Sequence, residues 1–179
     1  MIMCQAKSVF DVSIQDAERI LEAYEHMKSI PDLGRDPEEL KRAALIMTLT
    51  AWETYVEDKI SEEVALQTKV LQGSQIGSFI SSSLEKELKF FHTPNSKKTK
   101  DLFERFLGID VTEAWSWPGY EEQERTRAKL NEWIKKRGDA VHRSVIDKQT
   151  SHLISKPEAE KCIRFFKGLV EVTDKALSA

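Results

Sequence analysis

Arg137 and His142 stand five positions apart in the run Lys135-Lys136-Arg137-Gly138-Asp139-Ala140-Val141-His142-Arg143-Ser144. A histidine titrates near neutral pH, so it can take the proton of a ribose 2′-hydroxyl. An arginine presents a rigid fork of N–H donors that stabilises charge growing on a phosphate. Neighbouring cations favour the neutral, base-competent imidazole. The two residue types together suit metal-free cleavage of RNA, in which the 2′-oxygen attacks the adjacent phosphate and leaves a 2′,3′-cyclic phosphate. The set is thin for one chain, because the leaving oxygen also needs a proton. Two chains about a two-fold axis would supply two arginines and two histidines, so a homodimer is expected.

On a regular helix five residues turn about 500°, which leaves the two side chains roughly 140° apart. Gly138 weakens a helix by about 1 kcal/mol relative to alanine. The expectation is that the helix ends, bends or frays there and lets the pair converge. Gly138 also lets a neighbouring backbone approach closely. Trp133, Val141 and Val145 are candidates for the apolar contact between copies, with Trp133 equally readable as core.

Charge is unevenly spread. The chain has a net charge of −3, yet Arg125 to Lys148 holds eight basic residues against Glu132, Asp139 and Asp147. A local excess of about five positive charges is the mark of a polyanionic partner such as RNA, with a solvated helix face as the plain alternative. Lys135, Lys136 and Arg143 are the expected RNA contacts.

Other chemistries lack their residues. There is no Cys/His cluster with zinc spacing and no glycine-rich phosphate loop, so neither a metal nor a cofactor is expected. His26, His92 and His152 are scattered and read as surface or structural residues. Cys162 falls on an apolar helix face and reads as core. No apolar run approaches 18 residues and no charged-then-apolar leader is read at Met1, so no membrane contact and a cytoplasmic location are expected.

The elements that position the run are helical. Few glycines and prolines, with a 40% hydrophobic fraction, favour a helical globular chain. Spacing gives a helix in 8–30 that stops at Pro31 and Gly34. Asp36-Pro37-Glu38-Glu39 reads as a start, with Asp36 as cap and Glu39 completing a capping box, for a helix reaching about Lys69. Its middle, Ala43 to Trp52, is apolar almost all round, which predicts burial on several sides. Glu53 follows directly. Buried, it needs a partner, and it would then orient Arg137 or His142; otherwise it reaches solvent.

Gly73 to Ser83 reads as a loop or weak helix start, Leu84 to Phe91 as a short helix, and Lys97 to Leu107 as a helix stopped by Gly108. Trp115 and Trp117 read as a packed cap in preference to a base-stacking platform. Helices are predicted over Glu121 to about Arg137, and from Ser155-Lys156-Pro157-Glu158 onward. The last carries Ala159, Cys162, Ile163, Phe166, Leu169, Val170, Thr173 and Leu177 as one stripe. The fold expected is an all-α, single-domain up-and-down bundle of about five to six helices. It is divided into an N-terminal helix and turn at 1–36 and the main helical domain at 37–179, with one compact domain overall.

With these residues in place the chain resembles a known family. Arg137-Gly138-Asp139-Ala140-Val141-His142 matches the R-x4-6-H motif of HEPN domains, all-helical ribonucleases of toxin–antitoxin and other defence systems. It looks most like the RiboL-PSP-HEPN type. The segment Ala51-Trp52-Glu53-Thr54-Tyr55-Val56-Glu57-Asp58 resembles that type's first core helix. His92-Thr93-Pro94-Asn95 and Leu107-Gly108-Ile109-Asp110 resemble its middle part. The likeness covers roughly residues 38 to 177.

The resemblance implies that Arg137 and His142 are catalytic, that a homodimer forms a composite cleft, and that an antitoxin protein is a possible partner. The family often has a polar residue directly after the arginine. Here Gly138 stands there and Asp139 follows, so Asp139 and Glu53 are the supporting polar residues. In the branch paired with nucleotidyltransferase antitoxins a tyrosine lies two residues after the histidine, where this chain has Ser144. The alternative function is a non-catalytic HEPN-like module that binds RNA or nucleotides, or only dimerises. A helical adaptor whose basic run meets an acidic protein is the third reading.

Overall fold

The segment that is apolar on nearly every side lies in the longest helix. Helix α2 spans Glu38–Gln67 and runs through the middle of the molecule. Its Leu45, Leu49, Trp52, Tyr55, Val56 and Ile60 are each 2% exposed or less. Around it stand α1 (Gln5–Lys28), α3 (Gln75–Leu88), α4 (Ser96–Leu107), α5 (Gln123–His142) and α6 (Lys156–Leu177), with short 3₁₀ turns at Lys69–Leu71 and Val111–Ala114. The computed structural model describes residues 5–31, 34–142 and 154–178. Among these no strand forms, only an isolated bridge between Trp117 and Tyr120. The architecture is an all-α helical bundle.

Two helix starts behave differently from each other. At α6 the Ser155 side chain accepts from Glu158 N–H and the Glu158 carboxylate accepts from Ser155 N–H, so the expected capping box is present. At α2 it is not. Pro37 is the N-cap and no side chain caps the helix. Asp36 faces Lys28 at 3.8 Å and Glu39 pairs with Arg35 at 3.0 Å. Both carboxylates expected to cap have cations within reach, and a cation is the stronger attraction for them.

Gly73 to Ser83, read as a loop or weak helix start, and the short helix read from Leu84 join in one helix, α3. Ser74 caps it by accepting from Gly77 N–H. Gly108 ends α4 in the left-handed conformation (φ 71°).

Apolar burial joins all six helices. Phe10, Ile14, Ala17 and Leu21 of α1 belong to the same cluster as the α2 core and as Ile163, Phe165, Phe166, Leu169 and Val170 of α6. Each such aromatic or aliphatic side chain contributes about 1.5–3 kcal/mol when fully buried. Phe10 meets Tyr55 edge-on at 5.9 Å. Trp115 is wholly buried, and its indole N–H donates to Thr173 Oγ1 at 3.0 Å. Trp117 packs on Phe165 and Tyr120. It lies so near Gly168 that a Cβ there would come within 2.6 Å of the indole nitrogen, so α6 needs a glycine at that point. The tryptophans are thus a packed cap. Trp133 is also core, at 1% exposure, and this removes it from the candidates for contact between copies.

Candidate functional site

Leu130, Trp133 and Ala140, each 5% exposed or less, anchor α5 in the core. Between them the helix continues through Gly138 as far as His142, so the expected break at Gly138 does not occur. The glycine costs about 1 kcal/mol of helix stability, a small loss against the burial of the flanking side chains. Positions 137 and 142 therefore keep their helical separation of about 140° around the axis. The side chain of His142, and Arg143, Ser144 and Val145 altogether, lie outside the described residues.

Arg137 is half-buried and reaches back to α2. Its guanidinium donates to Glu53 Oε2 at 3.0 Å. The other oxygen of that carboxylate accepts from the backbone N–H of Thr93 at 2.9 Å. Side-chain exposure is 21% for Arg137 and 16% for Glu53. The carboxylate beside the apolar run thus has a cation, as burial demands, and that cation is Arg137. Arg137 Nε is buried with no hydrogen-bond partner among the described residues.

Glu53 and its α2 neighbour Trp52 together clamp the loop between α3 and α4. Trp52 Nε1 donates to the Pro94 carbonyl at 3.0 Å. Lys98 Nζ donates to the His92 carbonyl at 2.6 Å. Asn131 of α5 accepts from Ser96 N–H and donates to Ser96 Oγ, both at 3.0 Å. The loop brings His92 Nδ1 to 4.0 Å from Glu53 Oε1. Sequence reasoning set His92 aside as surface or structural. It is on the surface, but beside the Glu53–Arg137 pair. Glu57 lies one turn along α2 from Glu53. Burial, and then the neighbouring Glu53 and Asp58, push its carboxyl above the ordinary value, while His92 pulls it down.

The basic run is less basic in the fold than in the sequence. Of its six basic residues up to Arg137, four have acidic partners. Arg127 pairs with Glu113 at 2.5 Å, Lys129 with Glu132 at 2.8 Å, Lys136 with Glu158 at 2.7 Å and Arg137 with Glu53 at 3.0 Å. Lys129 and Lys136 also lie over the Trp133 ring, at 4.8 and 5.3 Å from its centre. The hydrogen bond from Lys136, then those from Ser155, hold the Glu158 carboxyl down at about 2. Lys136 is therefore tied into the start of α6, which weakens its expected role as an RNA contact. Lys135 is exposed, and Asp139 is half-buried one turn after it. Val141 is 52% exposed.

Among the described residues no group of three His, Cys, Asp or Glu is placed to hold a metal ion, and no helix is long and apolar enough to cross a membrane. Cys162 is buried, and burial pushes its thiol far above the ordinary range.

No curated protein and no solved structure matches the chain. The RiboL-PSP-HEPN family model matches residues 13–179. That match opens inside α1, well before the residue-38 limit read from the sequence, in keeping with the shared core of α1 and α2. The chain belongs to the RiboL-PSP-HEPN family, HEPN domains being helical domains that commonly bind RNA and dimerise and that are often ribonucleases.

Proposed function

We propose that the protein is a metal-independent endoribonuclease, a toxin or defence component that cleaves RNA by attack of a 2′-hydroxyl at a site shared by two copies. The observation that carries the reading is the Glu53–Arg137 pair. A charge stabiliser must be held still before the substrate arrives, and Arg137 is held by a carboxylate that is itself fixed by Thr93 N–H. His142 is the base and Arg137 stabilises the phosphate. Asp139 and Lys135 line the approach, with Lys136 and Arg143 further along the same basic run.

Helix α5 supports the two-copy reading. Its unbroken helix separates positions 137 and 142 around the axis, so Arg137 of one copy and His142 of the other form the working pair. At Gly138, apart from its chain neighbours and the helix's own backbone, no atom of the described residues lies within 4 Å of where a Cβ would be. Among the described residues nothing packs on that face closely enough to require a glycine, which is compatible with a second α5 crossing there. Val141 is the apolar residue available for the contact. Two copies also bring together their exposed Lys135 side chains and favour RNA by counterion release. An antitoxin would act by covering this end of α5.

The test is cleavage of a mixed-sequence RNA in EDTA by the parent, by His142→Ala and by Val141→Glu. The parent cuts. His142→Ala stays folded and does not. Val141→Glu is a folded monomer with little activity. A parent that binds RNA and leaves it intact, with and without added divalent metal, identifies a non-catalytic RNA-binding module instead.

A further inference from the structure

Attack by a 2′-oxygen moves two protons, one off the nucleophile and one onto the leaving 5′-oxygen. His142 takes the first, and the second needs a separate acid, for which two copies offer the other His142. The α3–α4 loop brings a second histidine to the same carboxylate. Glu53 holds Arg137 on one oxygen at 3.0 Å and faces His92 Nδ1 from the other at 4.0 Å.

The His92 side chain is 74% exposed, so it adds little to packing. Yet its backbone is fixed on both sides, by Lys98 Nζ at its carbonyl and by Glu53 at the next N–H. That next residue, Thr93, has φ 55°. A β-branched residue in the left-handed region is strained and persists only where its surroundings impose it. Here the Glu53 carboxylate and the Trp52 indole impose it, through Thr93 N–H and the Pro94 carbonyl. The charged groups around the ring are Glu53 and Glu57 of α2, with Arg137 of α5 beyond Glu53 and Lys98 of α4 at the backbone. Two carboxylates face the ring, and the held, exposed side chain shares the Glu53 carboxylate with Arg137, the residue assigned above to the phosphate.

We propose that His92 is the general acid of the site. The proposal rests on the endoribonuclease reading. The O2′–P bond forms as His142 takes the 2′-hydroxyl proton. The P–O5′ bond breaks as His92 gives its proton to O5′. The products are a 2′,3′-cyclic phosphate and a 5′-hydroxyl, and both imidazoles return to their starting states by proton exchange with water. His92 and Arg137 then come from one copy and His142 from the other.

The experiment compares two RNAs of one sequence, with the ordinary 5′-oxygen or a bridging 5′-sulfur at the mapped cut. A thiolate leaves without being protonated. His92→Ala and His92→Gln should lose about 10²-fold in rate on the oxygen substrate and regain nearly the parent rate on the sulfur substrate. Arg137→Lys should be impaired on both. Melting curves verify the fold, and the glutamine variant keeps a polar side chain of similar reach. A full rate on the oxygen substrate, or equal losses on the two, overturns the role of His92 alone. A parent that cuts neither RNA overturns the endoribonuclease reading, and this proposal with it.

Discussion

Helix α2 carries two charged residues held in opposite ways. Lys59 is 2% exposed and enclosed by Glu63 at 2.8 Å and Asp174 of α6 at 3.1 Å. Its partners are themselves largely buried, and the cluster fastens α2 to α6. Glu53, two turns earlier, is 16% exposed, and its partners lead outward, to half-buried Arg137 and then to exposed His92. A closed cluster uses its charges on itself. An open one uses a buried carboxylate to hold other groups at the surface. The difference separates a strut from a candidate site where composition does not, since both consist of acids and bases on one helix.

The largest expected effect breaks the strut. Lys59→Ala leaves Glu63 and Asp174 without their cation and should cost about 3–5 kcal/mol of stability. The midpoint of thermal unfolding should fall by about 10 °C for a chain of this size. Cleavage per folded molecule should be unchanged. A specific activity that falls with stability would put Lys59 in the site and erase the contrast.

Arg137→Lys should do the reverse. It keeps a cation for Glu53 and loses the planar fork, so cleavage should fall about a hundredfold while stability changes by less than about 1 kcal/mol. Lysine is the sharper replacement, because alanine would also strip Glu53 of its cation. Loss of fold in the lysine variant would make the open cluster a strut as well.

A smaller effect is expected at Glu158→Gln. The Glu158 carboxyl is depressed from 4.5 to about 2, chiefly by the hydrogen bond from Lys136. A depressed acid stabilises the fold above its unfolded value and loses that contribution as pH falls. The parent should therefore exceed the variant by no more than about 1 kcal/mol at pH 7, because the pair is partly exposed and screened by solvent. The gap should close between pH 4.5 and about 2. Chemical denaturation at several pH values reads this directly. A gap independent of pH would show that Lys136 is not engaged, and would return it to the residues available for RNA.

The helices that packed around α2 were legible because their apolar residues recur with helical spacing; α6 and the centre of α2 are the clearest cases. Only the second half of α3 was legible, because Ile76 and Phe79 point to solvent at 63% and 72% exposure and break up the stripe of Ile80, Leu84 and Leu88 that faces the core. In the site, Arg137 came from its motif and Glu53 from its position beside an apolar run. The charge excess overstated the free positive charge, because the acids that offset Lys136, Arg127 and Arg137 are Glu158, Glu113 and Glu53, remote in sequence and brought in by the fold. His92 lies in a segment that carries the family resemblance, but nothing there pointed to Glu53, since its place depends on how Trp52 and Glu53 hold the loop around it.

The most direct test of the central claim is the chemistry of the cut ends. RNA cleaved by the parent in EDTA should carry 2′,3′-cyclic phosphate and 5′-hydroxyl ends, and a single 2′-deoxy substitution at the mapped cut should abolish cleavage there. Cleavage that survives the 2′-deoxy substitution, or that needs a divalent metal and leaves a 5′-phosphate, would contradict the account.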